Sequence, residues 1–167
     1  QPGPGYPGGR EFFVEHADIV VRPLPTLDEQ APRSLPTSLP RSLVEAFGSF
    51  VAGTALLLLA DPASPPVSML VHSTQRNDVQ ARYHFLLQRL VKKWQTIASG
   101  AAAADDLPVE VIHERRRITG LGAPDVDDIA FLDRVRYVLR ETTLLLVNSA
   151  SDVNRVDWRV APVHVLV

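Results

Sequence analysis

One long amphipathic segment most constrains how this 167-residue chain can fold. From residue 79 to residue 94, apolar side chains recur every three or four positions, which is the period of an α-helix with one buried face. Asn77 or Asp78 is expected to cap this helix, and Lys92–Lys93 to lie near its end, where the helix dipole favours cations. The apolar stripe consists of Val79, Tyr83, Leu86, Leu87, Leu90, Val91 and Trp94.

Three short apolar runs accompany this helix, at residues 67–74, 142–149 and 163–167. Each is rich in aliphatic residues and too short for a core helix, so we predict three buried strands. Strands that alternate with helices favour a mostly parallel sheet with helices packed on it. The predicted fold class is therefore α/β.

Further helices are expected on either side of the central one. The first begins near Ser38, which either caps it or just precedes the cap, with Pro40 in its first turn. Its four leucines at Leu56–Leu59 predict last turns that are buried on all sides. Another helix is predicted from Asp125 to Arg140, with acids in its first turn. Residues 109–117 fit either a short strand or a helix.

Glycine and proline divide the chain into two parts. Residues 1–36 are predicted to form a Gly/Pro-rich arm and connector, with a possible strand at 11–22 and an irregular, proline-rich stretch at 23–36. Residues 37–167 are predicted to form the α/β domain. Because the chain starts at Gln1 and stops on an apolar strand, we expect it to be a piece of a larger protein, truncated at its C-terminal end.

Composition excludes several classes of function. The chain has no cysteine, which rules out disulfides, thiolate metal sites and a cysteine nucleophile. Its longest apolar run, Ala55–Ala60, is far shorter than the roughly 20 residues that span a bilayer. We therefore expect no membrane partner and a cytoplasmic location. A net charge of −2 gives no overall attraction to nucleic acid.

No complete catalytic motif is present in the sequence. It contains no HExxH zinc motif, no G-x-S-x-G nucleophile elbow and no G-x-x-x-x-G-K-[ST] phosphate loop. We therefore predict no catalytic residue, no metal ligand and no cofactor site within this chain alone.

Polar residues near the ends of predicted strands are the candidates for a binding cleft. His72 and Asn148 each end a strand, and ligands of open α/β sheets gather at the carboxyl ends of strands. Ser68 and Asp157 complete this candidate set. The alternative for His72 is a hydrogen-bonded structural histidine at a strand end.

Arg115, Arg116 and Arg117 form the densest basic run in the chain. Such a run can contact the phosphates of DNA. The alternative is a solvated helix face, since Glu110 and Glu114 are close by in the sequence.

Several short motifs, in order along the chain, resemble the Z1 domain family. The SMLVH motif at residues 68–72 is the most specific of them. The full set comprises Gly5–Tyr6–Pro7–Gly8–Gly9 with Phe12–Phe13, Leu39–Pro40 with Leu43, Ala46 and Phe47, Ser68–His72, Val147–Asn148–Ser149, and Asp157–Trp158.

The resemblance implies a superfamily-two, helicase-like ATPase or endonuclease of bacterial restriction-modification, DNA-repair or phage-defence systems. Residues 67–74 would be the first strand of a second RecA-like lobe, and 163–167 a later strand of it. The parent protein would use ATP and Mg²⁺ and act on DNA, with nuclease or methyltransferase components as partners. Since the phosphate-loop lobe and the nucleotide-sensing segment lie outside this chain, the chain alone is expected to be inactive.

Two other functions are compatible with the sequence. The proline-rich stretch at 23–36 could dock partners in a non-catalytic interaction module. A metal-dependent nuclease ranks last, because no D…ExK set of acids and lysine is present.

The strand at 163–167 ends the chain, and we expect it to pair poorly or to leave an open edge.

Overall fold

A computed structural model describes residues 35–72, 76–120, 126–147 and 161–167. These residues belong to one compact unit, Ala31–Val167, while the other unit, Gln1–Gln30, and the possible strand at 11–22 lie outside the described residues. The described elements are α1 (Arg41–Ala60), β1 (Val67–Leu70), α2 (Asn77–Gly100), a 3₁₀ turn (Ala104–Asp106), α3 (Val109–Gly120), α4 (Asp128–Glu141), β2 (Thr142–Leu145) and β3 (Val163–Leu166). The predicted α/β class is confirmed.

The three described strands form one parallel sheet in the order β1-β3-β2. In its register, Val163 lies between Val67 and Thr142, so the last strand is paired on both sides. The expectation that residues 163–167 would pair poorly or leave an open edge is therefore wrong. Mostly parallel pairing is confirmed for these strands.

Burial differs among the strands more than the sequence indicates. In β3, Val163 and Val165 are fully buried within the core. In β1 only alternate residues pack inward, and Leu70 is 71% exposed. The prediction of a buried strand is thus wrong for β1, which borders the described sheet and packs one face only. The residues of β2 are half-buried rather than buried.

The core is centred on α1. This helix packs on α3 and α4, and α2 packs on α4 and β2. The ring of Phe47, which is fully buried, stacks on that of Trp94 from α2, with the centroids 5.1 Å apart. Burying two large aromatic rings in one contact makes this pair a major source of stability.

Helix α1 departs from its predicted start and burial. Pro40 occupies the N-cap position, and its carbonyl accepts from the amides of Leu43 and Val44. Ser38 lies two residues before this N-cap, so it precedes the cap, which was one of the two predicted alternatives, and does not itself cap the helix. Leu58 is buried but Leu57 is 42% exposed, because only one side of the helix faces the core.

Of the described helices, α1 alone is long and apolar enough to cross a membrane by length and composition, and 39% of its most apolar window is buried. Its buried side includes Phe47, Val51 and Ala55 of the core. The core helix of a soluble protein meets the same criteria of length and composition.

Helix α2 is longer than its sequence signals suggest. Its N-cap is Arg76, so neither Asn77 nor Asp78 caps it. The helix continues to Gly100 because Ala98 extends the buried face by another turn. Lys92 and Lys93 therefore lie two turns before its end, where the helix dipole no longer explains them.

The structures of α3 and α4 bear on two further predictions, those for residues 109–117 and for the acidic start of the last helix. The ambiguous segment 109–117 is helical and lies within α3. The predicted acidic start of α4 is confirmed, because the carboxylate of Asp127 caps the helix and accepts from the amide of Ala130 at 2.9 Å. Asp125 lies outside the described residues.

Candidate functional site

The carboxyl ends of the strands meet at one edge of the sheet. Beyond the strands, the amide of Val71 donates to the carbonyl of Leu166, and that of Val147 donates to the carbonyl of Val167, each at 2.8 Å. The segments that follow β1 and β2 therefore leave the sheet at the same edge. With about 4.8 Å between neighbouring strands, these two exits are ~10 Å apart.

His72 lies at this edge, two residues beyond β1, and its side chain is exposed. The chain leading to Asn148 departs from the same edge, but Asn148 and Asp157 lie outside the described residues. Their convergence with His72 stays a prediction.

Ser68 belongs to a polar row that crosses the sheet. In the register of the strands it aligns with His164 of β3, which in turn aligns with Thr143 of β2. Aligned residues on neighbouring strands share one face of a sheet. Ser68 is exposed, whereas His164 is only 1% exposed. The row combines two hydroxyls with an imidazole, all able to donate and accept hydrogen bonds.

Sequence reasoning missed the central and far members of this row. The signal for His164 was a single imidazole within an otherwise apolar strand, which by itself more often marks packing than function. Thr143 gave no signal, because threonine is common in strands. Only the register brings these residues to the level of Ser68.

The first arginine of the basic run, Arg115, is held inside the fold. Its side chain is 16% exposed and forms an ion pair with Asp128, with Nη1 and Oδ1 2.6 Å apart. Its Nη2 donates to the carbonyl of Val126 at 2.7 Å, and its guanidinium lies 4.6 Å from the ring centroid of Phe131. Arg115 therefore joins α3 to the start of α4.

The next two arginines of the run also have acidic partners. Arg116 pairs with Asp105 at 3.2 Å, both side chains being exposed. Arg117 pairs with Glu114 at 2.8 Å. Each cation of the run thus lies beside a carboxylate, which lowers its net attraction for phosphate. Contact between this run and DNA stays a prediction.

Replacing Arg115 by alanine should lower the free energy of unfolding by about 1–3 kcal/mol, because the largely buried guanidinium that links α3 to the start of α4 is lost with its hydrogen bonds and its contact to Phe131. Arg116→Ala is the matched control. Since its ion pair is exposed, we expect a change below about 1 kcal/mol. Urea unfolding followed by circular dichroism measures both, and equal effects would contradict a structural role for Arg115.

The side chains of metal-ligand type that the structure describes do not come together in a metal site. Within the described ranges, no group of three or more histidine, aspartate or glutamate residues could hold a metal ion. Asp127 and Asp128, which lie close together in sequence, are engaged in capping α4 and in pairing with Arg115.

Comparison with known proteins gave one match. A family model described as the Z1 domain matches residues 42–167, which is well over half of the chain and includes the described helices and strands except Arg41, the first residue of α1. No curated protein and no solved structure matches the chain.

Proposed function

Because the chain belongs to the Z1 domain family, we propose that it is the α/β part of an ATP-dependent, helicase-like protein that acts on DNA. One observation supports this proposal above the others. The strands are parallel and end at a single edge, with the exposed His72 at that edge. In open α/β sheets, ligands and facing domains bind at such an edge.

In this proposal, the edge of the sheet forms one wall of a cleft between two lobes. His72 supplies an imidazole that can donate to a phosphate oxygen or to a group on the facing lobe. Asn148 and Asp157 complete the wall from the segments that follow β2. Ser68 lies exposed on β1, two residues before the end of the strand.

The residues of this chain do not themselves fit ATP or Mg²⁺. The sequence has no phosphate loop, and in the described part of the chain no acidic cluster can take a divalent ion. We therefore derive no step of hydrolysis from this chain. Nucleotide and metal would be held by a second lobe, and the chain would contribute to the cleft and to DNA binding.

The biological setting follows from the same proposal. A helicase-like protein of this kind would work in restriction-modification or phage defence, within the cytoplasm, beside nuclease or methyltransferase components. An endonuclease activity would reside in those components or in another part of the parent protein. The chain itself would act as a binding element and not as the nuclease.

The role of His72 can be tested in the protein that joins this chain to a phosphate-loop lobe. His72→Ala should reduce the DNA-stimulated ATPase kcat by about tenfold, since loss of one positioned hydrogen-bond donor costs ~1.4 kcal/mol or more at a transition state.

His113→Ala provides the matched control, because His113 is equally exposed but lies on α3 rather than at the edge of the sheet. We expect this variant to keep the parental kcat within twofold. A His72→Ala protein as active as the parent would refute the proposed cleft.

A further inference from the structure

Helix α2 carries four cations on its outer side, namely Arg82, Arg89, Lys92 and Lys93. At 100° per residue, these positions fall within about one third of the helix circumference, opposite the buried stripe. Lys92, Lys93 and Arg89 are exposed, and Arg82 is half-buried. We call this surface, together with Phe85, the α2 basic face.

None of these four cations forms an ion pair with a carboxylate in the part of the chain that the structure describes. Arg82 instead donates through Nε to the carbonyl of Pro36 at 2.9 Å. The basic run on α3 differs, because each of its arginines has an acidic partner. The α2 basic face is thus the more electropositive of the two surfaces, although the chain as a whole is acidic.

The only carboxylate within α2 lies at its first turn. Asp78 accepts hydrogen bonds from Arg76, the shorter at 2.7 Å. This bond is the main reason that the pKa of Asp78 is lowered from its ordinary value. The charge of Asp78 is therefore offset by Arg76 rather than by the cations further along the helix.

An aromatic ring is exposed among the cations. Phe85 is 45% exposed, and the guanidinium carbons of Arg82 and Arg89 lie 5.1 and 6.0 Å from its ring centroid. Alternating cations and an exposed aromatic ring are the elements of a surface that holds phosphates and stacks bases.

From these observations we propose that the α2 basic face binds single-stranded nucleic acid, with Arg89, Lys92 and Lys93 contacting phosphates and Phe85 stacking on a base. The cations from Arg82 to Lys93 extend over ~16 Å, at 1.5 Å per residue. This length spans several phosphates of one strand. Stacking on Phe85 requires an unpaired base, which favours a single strand over a duplex.

An acidic amphipathic helix fits this surface less well. Such a partner docks by inserting apolar side chains at three or more positions along a groove. Beside the cations, Leu86 is buried and Leu90 half-buried, so Phe85 is the one strongly exposed large apolar side chain on this described helix. A partner that reads charge and stacks on one ring therefore fits better.

The proposal rests on the proposed function in one respect, namely that the protein acts on nucleic acid. Its test is fluorescence anisotropy of a labelled 20-nucleotide oligothymidylate with the 167-residue chain, at several salt concentrations. Arg89→Glu/Lys93→Glu should weaken binding at least about tenfold and reduce the salt slope by about 1.4, as for two lost phosphate contacts. Phe85→Ala should weaken binding about fivefold or more with little change in slope.

Arg116→Glu reverses an exposed charge on the competing basic run of α3, and Arg140→Glu, which reverses an exposed charge on α4, is the matched control. We expect Arg140→Glu to keep the affinity within twofold and Arg116→Glu to weaken binding less than the α2 substitutions do. The midpoint of thermal unfolding should fall by no more than about 4 °C in any variant, as for a loss of ~1 kcal/mol in a chain of this size.

If Arg116→Glu abolished binding and Arg89→Glu/Lys93→Glu did not, the strand would bind at the basic run of α3 and not at the α2 basic face. The proposed function would then stand. Failure of the unsubstituted chain to bind any strand would overturn the α2 basic face as a binding surface, and DNA-stimulated ATP hydrolysis by the joined protein would still decide the proposed function.

Two further outcomes would overturn the assignment of the ligand. A duplex of the same length that binds more tightly, with no effect of Phe85→Ala, would indicate double-stranded nucleic acid. Tighter binding of a polyglutamate peptide than of the oligonucleotide would indicate an acidic protein partner, provided that Arg89→Glu/Lys93→Glu abolishes the binding of the peptide. The His72 variants report on ATP hydrolysis and so remain an independent test of the proposed function.

Discussion

Replacing Phe47 by alanine should lower the free energy of unfolding by about 3–5 kcal/mol, the range for removal of a fully buried aromatic ring. The ring has no solvent exposure and stacks on Trp94 with the centroids 5.1 Å apart. A second ring, that of Phe50, lies 6.3 Å away. The cavity left behind would lie where α1 meets α2, at the centre of the core.

Equilibrium urea unfolding measures this change, and Phe85→Ala is the control because it removes the same ring from an exposed position. We expect that control to change stability by less than about 1 kcal/mol. If Phe47→Ala and Phe85→Ala had equal effects, the core would not be centred on α1.

Gly48→Ala should also destabilise the fold, by about 1–3 kcal/mol. A Cβ atom at Gly48 would lie 2.7 Å from Cβ of Glu110 and 3.0 Å from its carbonyl carbon. Because these atoms belong to or adjoin the backbone of α3, the two helices would have to move apart. This cost outweighs the ~1 kcal/mol by which alanine is the better helix former.

Gly53→Ala, one and a half turns further along α1, tests the same substitution without the clash. Its new Cβ would meet only Cδ1 of Ile118, at 4.0 Å. We expect this variant to gain about 0.5–1 kcal/mol from helix propensity. The opposite signs of the two variants, read as midpoints of thermal unfolding, identify the close approach of α1 and α3. Stabilisation by both would contradict it.

Most elements of the fold could be predicted from periodic apolar patterns. The stripe from Val79 to Trp94 identified α2, and three short apolar runs identified the strands, because burial of one face dictates residue spacing. The ends of elements were less predictable. Ser38 and Asn77 are good capping residues, yet Pro40 and Arg76 occupy the N-cap positions and neither helix has a side-chain cap. Helix ends are the least predictable part of an element.

Register and strand order could not be read from the sequence. Nothing in the runs 67–74 and 163–167 shows that the last strand lies in the middle of the sheet, because order depends on long-range pairing. For this reason β1 was expected to be buried and β3 to be open, and the structure shows the reverse. The row of Ser68, His164 and Thr143 depends on the same pairing and was missed.

The charge of each folded surface could not be read from the sequence for a related reason. The run Arg115–Arg117 is dense along the chain, but folding brings Asp105, Asp128 and Glu114 to it. The cations of α2 are spread over twelve residues, and helical spacing gathers them on one face. Local density in sequence therefore pointed to the basic surface that the fold compensates with acids.

In the proposed function, this chain binds DNA and forms one wall of the cleft in a helicase-like ATPase, and it does not itself hydrolyse nucleotide. The most direct measurement compares ATP hydrolysis by the 167-residue chain with hydrolysis by the protein that joins it to a phosphate-loop lobe, each with and without single-stranded DNA. The claim predicts turnover at the buffer background for the chain alone, and DNA-stimulated turnover for the joined protein. Robust turnover by the chain alone, or none by the joined protein, would contradict it.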